Sequence, residues 1–212
     1  MISWEPVRRT LLRDTAYAAI RDAIVRGDLA PGSPVRDADL AAGLGLSRAP
    51  VRDALARLVD EGLIETKPQS YTRVTALHTR EARDAAAVVR AMHELAVAAA
   101  VPLFTPADLA DMREANRRFD AAVSAGDLDA ALRADDDLHD VPLRVCGNRA
   151  ASTTVARYTP LIRRLERQRF GTAGGHESVE RHERLIDACA RGDVAAAVAV
   201  TALIWRSLEE LE

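Results

Sequence analysis

Apolar positions recur three and four residues apart over Asp14–Arg26, where Tyr17, Ile20, Ile24 and Val25 predict one buried helix face closed by Gly27. The turn-rich "DLAPGSPV" follows and ends in an extended Val35. Asp37 is placed to cap a short second helix, which ends in a turn through Gly43 to Gly45. A longer helix opens at Ser47, whose hydroxyl suits a free backbone N–H at a helix start. Val51, Leu55, Leu58 and Val59 form its inner stripe, and Gly62 stands where a left-handed C-cap is wanted. Beyond it, the β-prone pieces Leu63–Thr66 and Arg73–Ala76 flank "KPQSY" and predict a two-stranded wing.

From Thr79 the pattern is helical throughout. The first such helix has a Thr cap and stops at Pro102. The second starts at Thr105 with Pro106 in its first turn and ends at Gly126. "DLDAALRADDDLHDVPLRVCGN" follows, with Pro142 expected to bend or break it. "RAASTTVARYTPLIRRLERQRFG", a loop "TAGG", "HESVERHERLIDACARG" and "DVAAAVAVTALIWRSLEEL" complete the chain. Six alanine-rich helices with short connections predict an antiparallel bundle around a central space. The fold class is therefore mainly α. Residues 1–77 form a winged helix-turn-helix with a small two-stranded wing, and residues 78–212 form an α-helical bundle.

Composition narrows the function. The chain is 48% hydrophobic and 29% charged, hence globular, and at 4% aromatic it is poorly equipped to stack single-stranded bases. Net charge is −3, split as +1 over residues 1–77 and −4 over residues 78–212, so any DNA affinity must come from local placement and from doubling in a dimer. Arg8 and Arg9, in an aperiodic arm over residues 1–12, are candidates for phosphate contact. Cys146 and Cys189 form no CxxC, and no segment reads as a signal peptide or reaches membrane-span length. A reduced cytoplasm with free thiols is the expectation.

Arg48, Arg52 and Arg57 lie off the inner stripe of the third helix, with Arg48 and Arg52 one turn apart near its start. Forked cations there suit guanine edges and phosphates in a major groove, although the same spacing also describes an ordinary solvated helix face. The wording is more specific than the spacing. "RGDLAPG", "DLAAGLGLSRAPVRDAL", "GLIE" and "TRV" together resemble the winged helix-turn-helix of GntR-family bacterial transcription regulators. The resemblance implies DNA contacts from Arg48, Arg52, Ser47, Arg57, Lys67 and Arg36. Two departures bear on the operator sequence. Tyr71 stands where the wing-tip glycine is expected, and Ala38 stands where an arginine often reaches DNA.

In the helical region Asp135 and His139 are four apart, hence on one helix face, and His182 heads an apolar face continued by Leu185, Ile186 and Cys189. Spacing alone equally describes a surface pair and an unrelated histidine. "ALRADDDLHDVPLRVCGN" and "ERHERLIDACARGDVAAA" resemble the two signature stretches of the all-helical FCD-type effector domain of FadR-type GntR regulators. That resemblance implies a divalent metal (Zn, Ni or Mn) held by Asp135, His139 and His182, with Ile204, which cannot ligate, in the fourth position. Three readings stay open at this point: a three-ligand site completed by water or a carboxylate effector, His176 swinging in from a flexible "GGHES" stretch, or an organic ligand with no metal. Arg90 and Glu94 match a helix facing the effector pocket and otherwise make an intrahelical pair. Asn148 matches a family turn or serves as a helix cap.

The expectation is a regulator, not an enzyme. It binds a palindromic DNA operator as a homodimer, most simply as a repressor, under control of a small carboxylate or a divalent metal. A metal-sensing regulator and a metal-dependent hydrolase are the alternatives, and the second lacks an evident general base.

Overall fold

The structure is a computed structural model, and it describes residues 12–77, 80–172 and 174–209, with side chains described to Ser207. The expectations for Arg8, Arg9, the Thr79 cap and Ala173 lie outside the described residues. The chain divides into two compact units, with the boundary in sequence between Ala76 and Leu77.

In the first unit, α1 (Leu12–Arg26), α2 (Asp37–Leu44) and α3 (Arg48–Asp60) precede β1 (Ile64–Lys67) and β2 (Tyr71–Val74). Tyr17, Ile20 and Ile24 of α1 meet α3, whose inner face is Val51, Ala54 and Leu58. Leu55 and Val59, expected in that stripe, are half-buried, because the small Ala54 takes the inner place. Gly62 has φ 77° and follows the last turn of α3 as its sequence position demands. α2 runs through Gly43 to Leu44, so the turn before α3 opens at Gly45, φ 65°.

Neither expected N-terminal cap forms. Ser47 occupies the N-cap position of α3 without a side-chain cap bond. Arg36, not Asp37, is the N-cap residue of α2, and Asp37 is already helical, its carboxylate taken by two arginines of α3. The wing is shifted from its expected bounds. Its antiparallel register pairs Ile64 with Val74 and Lys67 with Tyr71. Tyr71 therefore begins a strand, and the left-handed wing-tip residue is Gln69, φ 57°. The connector adds to the wing through Val35, whose N–H donates to the Thr72 carbonyl at 2.8 Å.

The second unit contains α4 (Arg80–Ala100), a 3₁₀ turn (Val101–Leu103), α5 (Pro106–Ala125), α6 (Leu128–Cys146), α7 (Arg149–Phe170), α8 (Gly174–Ala190) and α9 (Val194–Glu209). α4 packs on α6, α7 and α9, while α5 packs on α6 and α8. α5 opens with a capping box between Thr105 and Asp108. α6 passes through Pro142 without a break. Gly174 and Gly175 belong to α8 rather than to a loop. A Cβ on Gly175 would meet Val123 at 2.9 Å and the Phe170 carbonyl at 3.0 Å, so the glycine permits close packing instead of chain flexibility. Arg80–Leu103 is, contrary to expectation, long and apolar enough to cross a membrane. Its buried residues, Ala82 to Ala100, line the bundle interior, as in the core helix of a helical domain.

Candidate functional site

On the first unit, Arg48 and Arg52 leave the start of α3 toward solvent, and both are held by Asp37. Arg48 donates through Nη2 to Oδ1 at 2.7 Å and through Nε to Oδ2 at 3.2 Å. Arg52 donates through Nε to Oδ2 at 2.6 Å. These two guanidinium groups hold the Asp37 carboxyl down at about 2. Ser47, Arg36 and Lys67 are exposed, at the starts of α3 and α2 and at the end of β1. Arg57 lies at the other end of α3. Its guanidinium sits 3.6 Å over the Tyr17 ring and donates to Glu61 at 2.9 Å, while the Tyr17 hydroxyl donates to Glu61 at 2.6 Å. Its cation thus ties α1 to α3 inside the domain.

In the second unit the structure brings Asp135 and His139 of α6 together with His182 of α8. One donor atom from each lies within 4.8 Å of the others, and all three residues are buried. The Nε2 atoms of His139 and His182 are 3.8 Å and 3.4 Å from Asp135 Oδ1. Burial lowers both imidazoles, His182 to about 3, so they are neutral near pH 7, the form that ligates a metal. For Asp135, burial is outweighed by neighbouring positive charge, of which the Arg163 guanidinium is the permanent source, and its carboxyl lies below the usual range.

Asn116 of α5 sets the His182 tautomer. Its amide nitrogen donates to the Val179 carbonyl at 3.3 Å, which turns its oxygen to His182 Nδ1 at 3.1 Å. Nδ1 therefore carries the proton, and the buried Nε2 presents a lone pair toward Asp135, with no hydrogen-bond partner among the described residues. Two electron-rich atoms 3.4 Å apart with no proton between them fit a cation. Arg163 supplies charge on the other side, donating to Asp135 Oδ2 at 3.1 Å and to Glu166 at 2.5 Å, and also pairing with Asp136. Burial pushes Glu166 up to about 7 against the pull of Arg163.

Beside this cluster lies a cavity of about 20 Å³, lined by His93, His139, Thr159, Arg163, Glu166 and Trp205 among others. His93 stacks on Trp205 at 4.4 Å, and its ring centre is 5.4 Å from that of His139. Among the described residues, Trp205 Nε1 and Arg163 Nε are buried donors without acceptors. Ile204 is buried and brings no donor, and its neighbour Trp205 reaches the site instead.

The four residues expected to bind effector are not among the cavity lining. Arg90 and Glu94 pair within α4 at 3.1 Å. Asn148 caps α7, accepting from the Ala150 and Ala151 amides. His176 lies exposed in the first turn of α8 and is not one of the three clustered residues. Conversely, sequence reasoning missed His93, Asn116, Arg163, Glu166 and Trp205. His93 interrupts an otherwise apolar buried stripe in α4, and Asn116 stands among Met112, Ala115, Phe119 and Ala122 in α5, and that was the available signal.

Comparison with known proteins bears on both units. The family described as "Bacterial regulatory proteins, gntR family" matches residues 12–74, and the FCD domain family matches residues 84–206. An HTH-type transcriptional regulator in an unstable DNA locus of Streptomyces ambofaciens is 31% identical over 200 residues, covering 89% of this chain and 79% of its own length. The HTH-type transcriptional repressor RspR of Escherichia coli K12 is 23% identical over 154 residues, 73% of this chain and 68% of that one. The structure of E. coli McbR/YncC superposes with a TM-score of 0.78 at 21% identity, covering 94% of this chain and 95% of that one, which shows a shared fold. These relatives are transcription regulators and not enzymes, which sets the hydrolase alternative aside. The chain belongs to the GntR family of bacterial transcription regulators, in the branch whose winged helix-turn-helix is joined to an FCD domain.

Proposed function

We propose that the chain is a cytoplasmic homodimeric regulator of a palindromic operator, in which residues 1–77 read DNA and residues 78–212 dimerise and hold the controlling site. Arg48 and Arg52 contact base edges from α3, while Ser47, Arg36 and Lys67 contact phosphates. Asp135, His139 and His182 hold a divalent ion: zinc, nickel or manganese. When bound, the ion supplies fixed positive charge and open coordination positions for an oxygen ligand. The observation that carries this reading is His182 Nε2 facing Asp135 Oδ1 at 3.4 Å while its Nδ1 is engaged by Asn116 at 3.1 Å. Filling the site changes DNA affinity only insofar as the ion or its ligand prefers one of two states of the protein. Release of DNA on filling, hence repression, agrees with the naming of the E. coli relative.

The test compares the full chain, stripped by chelator and reloaded with Zn²⁺, on a duplex that the protein itself selects from a random library. The expected difference in affinity is about 5- to 150-fold, the usual range of allosteric coupling, and His139→Ala should abolish it. Equal affinities, with zinc shown to be bound, would contradict control by the ion.

A second reading adds a small carboxylate as the signal. The buried donors Trp205 Nε1 and Arg163 Nε, on two residues that line the same cavity, favour it. A cavity of about 20 Å³ has room for one water-sized group, so a carboxylate must widen it to enter.

A further inference from the structure

We propose that Asp37 is a specificity-determining residue of the DNA-reading face, fixing the forks of Arg48 and Arg52 while opposing phosphate. This rests on the reading that α3 enters DNA. A purely local role for Asp37 does not account for its contacts. It caps nothing, because Arg36 holds the N-cap position of α2, and Asp39 also places an acid in the first turn of that helix. Instead, one carboxylate faces two arginines that lie eleven and fifteen residues away in sequence.

The geometry divides the arginines unequally. Arg48 is gripped along one edge, through Nε and Nη2. Arg52 is gripped through Nε, and among the described residues its Nη1 and Nη2 have no partner. That outer pair of donors is the fork that matches the O6 and N7 acceptors of guanine. An exposed ion pair adds little stability, so the value of this one lies in geometry. Long side chains held before DNA arrives lose less freedom on binding. The negative charge acts in the opposite sense on the backbone. It reduces two local positive charges to a net of one, which lowers affinity for any sequence and leaves hydrogen-bond reading intact. Both effects raise the ratio of specific to non-specific binding.

The experiment takes the full chain and its Asp37→Asn and Asp37→Glu variants through selection on a randomised duplex library, with sequencing of the bound pools. Affinities for the selected duplex and for a scrambled one are then measured against salt. Asp37→Asn should bind scrambled DNA on the order of tenfold more tightly, with a salt slope steeper by about one, and should enrich a flatter base pattern. Asp37→Glu should recover part of the wild-type preference. The proposal is overturned if Asp37→Asn selects the same motif with the same ratio of affinities. It is equally overturned if the variant loses affinity for both duplexes in proportion, as a merely structural residue would. A wild-type pool with no enriched motif would overturn the DNA-reading assignment itself, an outcome distinct from two identical motifs.

Discussion

The side-chain oxygen of Asn116 lies 3.1 Å from His182 Nδ1, so a residue outside the Asp135–His139–His182 cluster decides which nitrogen of the histidine faces the buried carboxylate. Partners of this kind orient ligands and typically contribute 10- to 100-fold in metal affinity. Asn116→Ala should weaken Zn²⁺ binding by about that factor in a competition titration against a coloured chelator. Unchanged affinity would mean that His182 is oriented by packing alone.

Arg163 is the cation that Asp135, Asp136 and Glu166 share. Removing one partner of a buried ionic cluster leaves uncompensated charge, at a cost of about 3–5 kcal/mol. Arg163→Met should lose stability of that order in urea unfolding of the metal-free chain. Added Zn²⁺ should restore part of the loss, because it returns positive charge beside Asp135. A loss no smaller with zinc would place the ion elsewhere.

Burial moves His182 from an ordinary value of 6.5 to about 3. The folded state therefore stays neutral at this position while the unfolded chain takes up a proton. The stabilising effect is complete above about pH 6.5 and declines toward pH 3, by up to about 1.4 kcal/mol per pH unit. The metal-free wild type should lose stability over that window more steeply than His182→Gln, as read by unfolding midpoints against pH. Glu166 acts in the opposite direction, because a folded value of about 7 against an ordinary 4.5 costs stability as pH rises between the two. Glu166→Gln should flatten that limb.

Arg52 and Arg57 share a helix but sit in different surroundings. Arg52→Ala should weaken binding to the selected duplex by about 1–3 kcal/mol with little change in folding. Arg57→Ala removes the cation over Tyr17 and the bond to Glu61. It should lower the unfolding midpoint and leave the base preference of the selected DNA unchanged. A gel-shift titration beside a thermal melt distinguishes the two.

The sequence revealed what periodicity and punctuation encode. Tyr17, Ile20 and Ile24 mark α1, Thr105 and Gly126 bracket α5, and the Asp135–His139 spacing puts both residues on one face. Tertiary contacts decided the rest. Asp37 and Ser47 are good caps by type, yet two arginines across the turn claim Asp37, and the Ser47 hydroxyl makes no cap bond. The glycine pair before His176 resembled a loop but serves close packing, Gly174 against Arg169 and Gly175 against Val123. Asn116 reaches His182 across 66 residues and Arg163 reaches Asp135 across 28, distances over which local pattern carries no information. A lone histidine at 93 inside an alanine-rich helix likewise gave no hint that it would stack on Trp205.

The most direct test of the account is elemental analysis of the full chain, purified without chelator or column-derived metal and then offered zinc, nickel and manganese. The three-ligand centre predicts about one divalent ion per chain, lost in His139→Ala. A wild-type chain that stays metal-free after reloading would contradict it.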